Sequence, residues 1–138
     1  MFDTNKYLSI PFLEFGRDFY GCDCYGLVRL IYKNEFEIDI PEFCGIGHKE
    51  YLKISDKIDQ CKCTSDWKSV NSPRLGDVVL LKNKGVATHV GLLVSADKFI
   101  HMSENIGCSI DGIAGSRWNS RIEGFYRNVR LEDKTTES

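Results

Sequence analysis

The sequence predicts a single domain in which one helix precedes an antiparallel β-meander, and three observations carry that reading. A chain of 138 residues with 42% hydrophobic residues, 28% charged residues and three prolines has the composition of one ordinary globular core. After Asp23 the run CYGLVRLIYK sets apolar side chains at helical spacing. Beyond residue 76 the runs DVVLL (77–81), THVGLLV (88–94) and KFIHM (98–102) are separated only by short turn-like stretches, as successive strands of a meander are.

Taken in order, the N-terminal segment carries Phe2, Leu8, Ile10, Phe12, Leu13 and Phe15 around Pro11, and a short helix is expected after that proline. Gly16 to Gly21 reads as a polar, glycine-bounded loop. Asp23 stands at an N-cap position, and on the helix it opens Cys24, Leu27, Val28 and Ile31 share one face at i, i+3, i+4 and i+7. Residues 41–72 read as a variable connecting region, in which 49–58 has the pattern of a short amphipathic helix. A last strand is expected near Ile122 to Tyr126. The domain is expected to span 1–128, with 129–138 a charged, frayed tail.

Charge narrows the partners. Eighteen Lys and Arg against twenty Asp and Glu leave a net −2, too balanced to draw the chain to nucleic acid or an anionic membrane by bulk electrostatics. The longest apolar run, Val78 to Leu81, is far too short to cross a bilayer. The opening MFDTNKYLSI lacks the apolar core of an export signal, so synthesis and initial residence in a cytoplasm are expected. In a reducing compartment the six cysteines (22, 24, 44, 61, 63, 108) point to metal, catalysis or burial rather than to a disulfide scaffold.

Cys24 is the first candidate for chemistry. A helix N-terminus lowers a thiol pKa, which favours the reactive thiolate; the bland alternative is a small buried hydrophobe. A nucleophile needs a base, and the chain has three histidines, 48, 89 and 101. His89 and Gly91 share one strand face, and so do Phe99 and His101. With a two-residue turn at Ala96-Asp97 the histidines fall on opposite faces; with a three-residue loop, Ser95-Ala96-Asp97, Gly91 pairs with His101 and both imidazoles share a face. The second register is the expected one, with His89 within reach of Cys24 and His101 behind it. His48, without a partner at motif spacing, reads as surface. Cys22-x-Cys24 and Cys61-x-Cys63 are too tightly spaced for an ordinary tetrahedral zinc site, and no cofactor is expected.

Together these blocks resemble a family. GCDCYGLVRLIY, PRLGDVVLL, THVGLLVSADKFIHMSE and RWNSRIEGFYR, covering roughly residues 14–127 in order, resemble the NlpC/P60 cysteine peptidases, in particular the small versions encoded among phage tail genes. The resemblance implies an α+β papain-like fold, with the nucleophile-bearing helix packed on a central antiparallel sheet. It implies a Cys24, His89, His101 catalytic set acting on amide bonds in peptidoglycan stem peptides, with Asp23 contacting a free substrate amine and Tyr25 also on the substrate side. Tyr25 stands where the family commonly has serine, which marks the phage type. The partners implied are stem peptides and other tail-tip proteins, with assembly in the host cytoplasm and delivery by the virion tail. A structural tail-tip module with a dispensable or occluded hydrolase site is the competing reading. A lipid-directed thiol acyltransferase is disfavoured, because in those permuted relatives the histidine precedes the cysteine.

Overall fold

In the computed structural model the described residues are 3–40, 67–83, 86–115 and 117–131. The expected helix over 49–58, His48, Cys44, Cys61 and Cys63 lie outside them. The chain begins with one helical turn, α1 (Asn5–Leu8), placed before Pro11 rather than after it. The segment after Pro11 is extended instead: Cys22 donates to the Pro11 carbonyl (3.1 Å), Leu13 donates back to Cys22 (3.1 Å), and Phe12 forms a parallel bridge with Cys22. Main-chain pairing with the strand before the helix has displaced the expected helix. The glycine-bounded loop is a small hairpin, β1 (Arg17–Asp18) and β2 (Gly21–Cys22), in which Arg17 pairs with Cys22.

Helix α2 (Cys24–Phe36) starts where the sequence requires, with the Asp23 side chain accepting from the Gly26 N–H at 2.8 Å. It ends at Glu37, in the left-handed conformation at φ 57°, while the Ile38 N–H turns back to the Tyr32 carbonyl and Ile38 is buried.

Six strands follow: β3 (Trp67–Val70), β4 (Val78–Asn83), β5 (Val86–Leu93), β6 (Lys98–Ser103), β7 (Gly107–Gly112) and β8 (Ile122–Asn128). They form one sheet in the order β3-β8-β4-β5-β6-β7, every neighbouring pair antiparallel. Strand β8 extends the meander on the far side of β4. β3, inside the expected connecting region, and β7 are additional.

Alternation divides the sheet into two faces. Leu27, Val28 and Ile31 of α2 pack onto Val78, Leu80, Val90, Leu92, Ile100 and Met102, each fully buried aliphatic side chain contributing about 1.5–3 kcal/mol. The opposite face gathers Val79, Leu81, Leu93, Phe99 and Trp118, with Ile113, Ile122 and Phe125 at its margin. Just before β4, Asp77 is fully buried and held at both oxygens by the Arg127 guanidinium, 2.8 Å to each, tying the start of β4 to β8. Leu131, in the stretch expected to fray, is only 4% exposed and lies against Gly76, so the packed domain runs past residue 128.

Candidate functional site

The site begins at the first residue of α2. Asp23 is 5% exposed, and besides capping the helix it accepts from the Phe15 N–H (3.2 Å) and from Arg17 Nη1 (2.7 Å). The hairpin therefore closes directly onto the helix start. That approach needs glycine twice, since a Cβ at Gly16 would stand 2.3 Å from the Gly21 oxygen and one at Gly26 would stand 2.1 Å from the Gly16 oxygen. Asp23, expected on the substrate side, thus accepts three hydrogen bonds from within the chain, two at Oδ1 and one at Oδ2. Tyr25 is half-buried against the α2-side core, with the Arg17 guanidinium 5.8 Å from its ring centroid.

Cys24 does not behave as its helix position alone predicts. Burial pushes the thiol up to about 12, and the neighbouring Asp23 charge adds to it; the Val90 and Tyr25 main-chain N–H groups and Arg17 pull the other way and lose. The helix-terminal field stabilises a thiolate by at most about 2 kcal/mol, which desolvation outweighs here. At rest the sulfur is a thiol.

The Val90 N–H reaches Cys24 because β5 and β6 part beside it. Leu93 donates to Asp77 on the β4 side (2.8 Å) and Val94 to Lys98 on the β6 side (2.9 Å), so by alternation the Val90 N–H faces β6. Yet β5 and β6 pair only at Leu92–Ile100 and Leu93–Phe99. This is the register of the three-residue loop Ser95–Asp97, and continuing it would set Gly91 opposite His101. The ladder stops instead, and at the split the Val90 N–H lies where it favours the Cys24 thiolate. On the other side of β5 the pairing shifts between Leu81–His89 and Lys82–Ala87, a bulge immediately before His89 of the kind that re-aims a side chain.

His89 and His101 meet on the sheet face away from α2. His89 Nε2 lies 2.8 Å from His101 Nδ1, and His101 Nε2 lies 2.7 Å from Asp111 Oδ2, with the Ser109 hydroxyl 3.4 Å away. Trp118 walls the pair: His89 stacks on the indole at 5.9 Å and 15°, His101 meets it edge-on at 5.0 Å, and Trp118 Nε1 donates to Asp111 Oδ2 at 3.1 Å. Burial pushes the His89 imidazole down to about 3, helped by His101 and Arg121. Burial also pulls His101 below its usual value, against the raising pull of Asp111. Burial opposes ionisation of Asp111, but the hydrogen bonds from His101 and Trp118 outweigh it and hold the carboxyl below the usual range. Both imidazoles are neutral at pH 7 and Asp111 is charged.

The structure therefore brings His89 and His101 into contact and sets Cys24 against Val90, the residue after His89. Among the described residues, Cys24 and His89 are not hydrogen-bonded to each other. Asp111 and Trp118 join the site without a signal in the sequence that marks them. Asp111 lies on β7 opposite Phe99 and so shares a face with His101, but GCSIDG shows no apolar alternation that would announce a strand. Among the described residues no group of three His, Cys, Asp or Glu side chains is placed to hold a metal, and no helix is long and apolar enough to cross a membrane.

A cysteine opening a helix, laid against a split antiparallel sheet that carries a histidine pair, defines a class of α+β proteins with a thiol at the helix–sheet junction. The model of the NlpC/P60 family matches residues 11–127, and the chain belongs to that family. It is 23% identical over 128 residues to the γ-DL-glutamyl hydrolase of Bacillus subtilis, covering 91% of this chain and 28% of the relative. It is 23% identical over 107 residues to the murein DD-endopeptidase MepS/murein LD-carboxypeptidase of Escherichia coli K12, covering 78% of this chain and 50% of the relative. The chain thus spans half or less of the length of these relatives. Among solved structures, the NlpC/p60 domain of the peptidoglycan hydrolase SagA superposes with a TM-score of 0.60 at 18% identity, covering 91% of this chain and 92% of that one. An NlpC/P60 family protein from Bacillus cereus superposes with a TM-score of 0.64 at 20% identity, covering 88% of this chain and 36% of the other. The fold is the NlpC/P60 fold.

Proposed function

We propose that this chain is a cysteine-type peptidoglycan hydrolase that cleaves amide bonds in cell-wall stem peptides. The observation that carries the reading is the His89–His101 contact at 2.8 Å beside the split in which Cys24 sits. Family membership supports it, as do the relatives, one named for γ-DL-glutamyl hydrolysis and one for murein DD-endopeptidase and LD-carboxypeptidase action. Those names favour a bond beside a D-amino acid.

The chemistry follows from the resting protonation states. As the Cys24 sulfur attacks the scissile carbonyl carbon, its proton passes to His89 Nδ1, so a neutral thiol and a neutral imidazole become a tetrahedral adduct and an imidazolium. The Cys24 N–H at the helix start donates to the oxyanion. His89 returns the proton to the leaving nitrogen, the C–N bond breaks and a thioester remains. Water then gives a proton to His89 and its oxygen to the acyl carbon, and the proton goes back to sulfur as the thioester breaks. Because burial holds Cys24 as a thiol, proton transfer accompanies attack, and substrate binding has to bring sulfur and imidazole together.

Carriage of the domain as a tail-tip component, assembled in a host cytoplasm and delivered to the wall by a virion, is proposed from the likeness of GCDCYGLVRLIY and its Tyr25 to the phage-type members. A second reading, a tail-tip assembly module with an occluded hydrolase site, is favoured by the packing of Cys24 against the α2-side core, where desolvation disfavours the thiolate. Incubation of the chain and of Cys24→Ala with peptidoglycan sacculi, followed by mass spectrometry of released peptides, separates the two. Hydrolysis predicts stem-peptide fragments whose release falls at least about 10³-fold in the variant. Equal silence of both proteins supports the assembly module.

A further inference from the structure

Three features of the histidine chain bear on which nitrogen carries each proton. First, Asp111 is ionised, and an imidazole nitrogen 2.7 Å from a carboxylate oxygen has to present N–H to it, because a lone pair there would face a lone pair. His101 therefore holds its proton on Nε2. Second, His101 is neutral, so its Nδ1 is a lone pair, and His89 Nε2, 2.8 Å away, has to be the donor. Third, His89 is neutral as well, which leaves its Nδ1 unprotonated. The chain of donors runs one way, from His89 Nε2–H to His101 Nδ1 and from His101 Nε2–H to Asp111 Oδ2. Its origin is the carboxylate, whose accepting oxygen is fixed by the Trp118 indole N–H at 3.1 Å.

We infer that Asp111 is a positioning residue for the hydrolase proposed above: by accepting from His101 Nε2 it sets the tautomers of both histidines and leaves His89 Nδ1 open for the Cys24 proton. Without Asp111, His101 is free to carry its proton on Nδ1 and donate it to His89 Nε2. His89 would then hold its own proton on Nδ1, where it cannot serve as a base. Asp111 touches neither the thiol nor the reacting carbonyl, and its effect passes entirely through the two rings. This role rests on the function proposed above, yet the tautomers are measurable without any substrate.

The test is ¹⁵N-histidine NMR on the full chain, with its three histidines assigned by single His→Gln variants, alongside stem-peptide kinetics. The expected result is Nε2–H on both His89 and His101 in the unaltered chain and a shift of protons to Nδ1 in Asp111→Ala. With it go a fall of about 10–100-fold in kcat at nearly constant KM and recovery of part of that loss in Asp111→Glu. An Nδ1–H on His101 in the unaltered chain overturns the inference, whether or not the variant folds. So do unchanged tautomers in Asp111→Ala, or a loss confined to KM. If the unaltered chain cleaves no stem peptide, the proposed function fails while the NMR result still decides the role of Asp111.

Discussion

The face of the sheet beneath α2 and the face beneath Trp118 are made by alternate residues of the same strands. Along β5, Val90 and Leu92 go under the helix while His89 and Leu93 go to the other side. Along β6, Ile100 and Met102 go under the helix while Phe99 and His101 go to the other side. The helix side is a continuous apolar cluster. The Trp118 side is a smaller cluster pierced by the Asp111–His101–His89 chain. A period of two thus puts the histidine chain on one face and the helix-packed cluster on the other, and only Cys24 works from the helix side, at the split between β5 and β6.

If that division is real, truncation on the helix side costs stability and leaves the histidine chain alone. Ile31 is fully buried at the centre of the α2 contact, and Ile31→Ala is expected to destabilise by about 3 kcal/mol through lost transfer energy and the cavity left behind. Chemical denaturation measures the loss, and histidine tautomers unchanged below the melting range show that the faces are independent. Perturbed tautomers in this variant would break the comparison.

Gly91 tests the seam between the two roles. A Cβ there would lie 2.7 Å from Phe99 Cδ2, 3.2 Å from the Ile100 oxygen and 3.3 Å from Val79 Cγ1, all parts of the packed sheet. The Phe99 ring would have to move, and it sits 4.7 Å from the His101 ring. Gly91→Ala is expected to cost about 1–3 kcal/mol of stability and, unlike Ile31→Ala, to lower stem-peptide cleavage in the protein that remains folded. A variant that loses stability but keeps full activity would show that Phe99 yields without disturbing the histidines.

What the sequence made legible follows from how local each signal is. The cap at Asp23, the helix face of Cys24, Leu27, Val28 and Ile31, and the three-residue loop that puts His89 and His101 on one face all depend on residues close in the chain, although the expected Gly91–His101 pair itself does not form. The helix expected after Pro11 fails because a distant partner, β2, captures that backbone. β3 and β7 exist by pairing with β8 and β6 rather than by apolar alternation, and Asp111 was hidden with β7. The Cys24 thiol departs from its helix position for the same reason. Its helix-end field is local and visible in sequence, whereas the burial that opposes it is assembled from α2, β5 and the hairpin.

The smallest expected effect concerns acid. Burial depresses both imidazoles, His89 to about 3, whereas in the unfolded chain both titrate near 6.5. As pH falls through about 6.5 the unfolded state takes up protons that the folded state refuses, so stability is full above that pH and declines as pH drops towards 3. Asp111, depressed in the folded state, has the same sign but acts in a lower window, beginning near the unfolded carboxylate value of about 3.9. Between pH 6.5 and 5 the histidines therefore dominate. Allowing for the partial exposure of the His89 ring, its contribution is on the order of 1 kcal/mol lost by pH 5. The check is Tm followed from pH 7.5 to 5 in the chain and in His89→Gln. The variant is expected to show the shallower decline, because glutamine takes up no proton in either state. An equally steep decline in both proteins would mean that the acid sensitivity does not come from His89 and that, of the Trp118 face, only His101 and Asp111 are left to carry it.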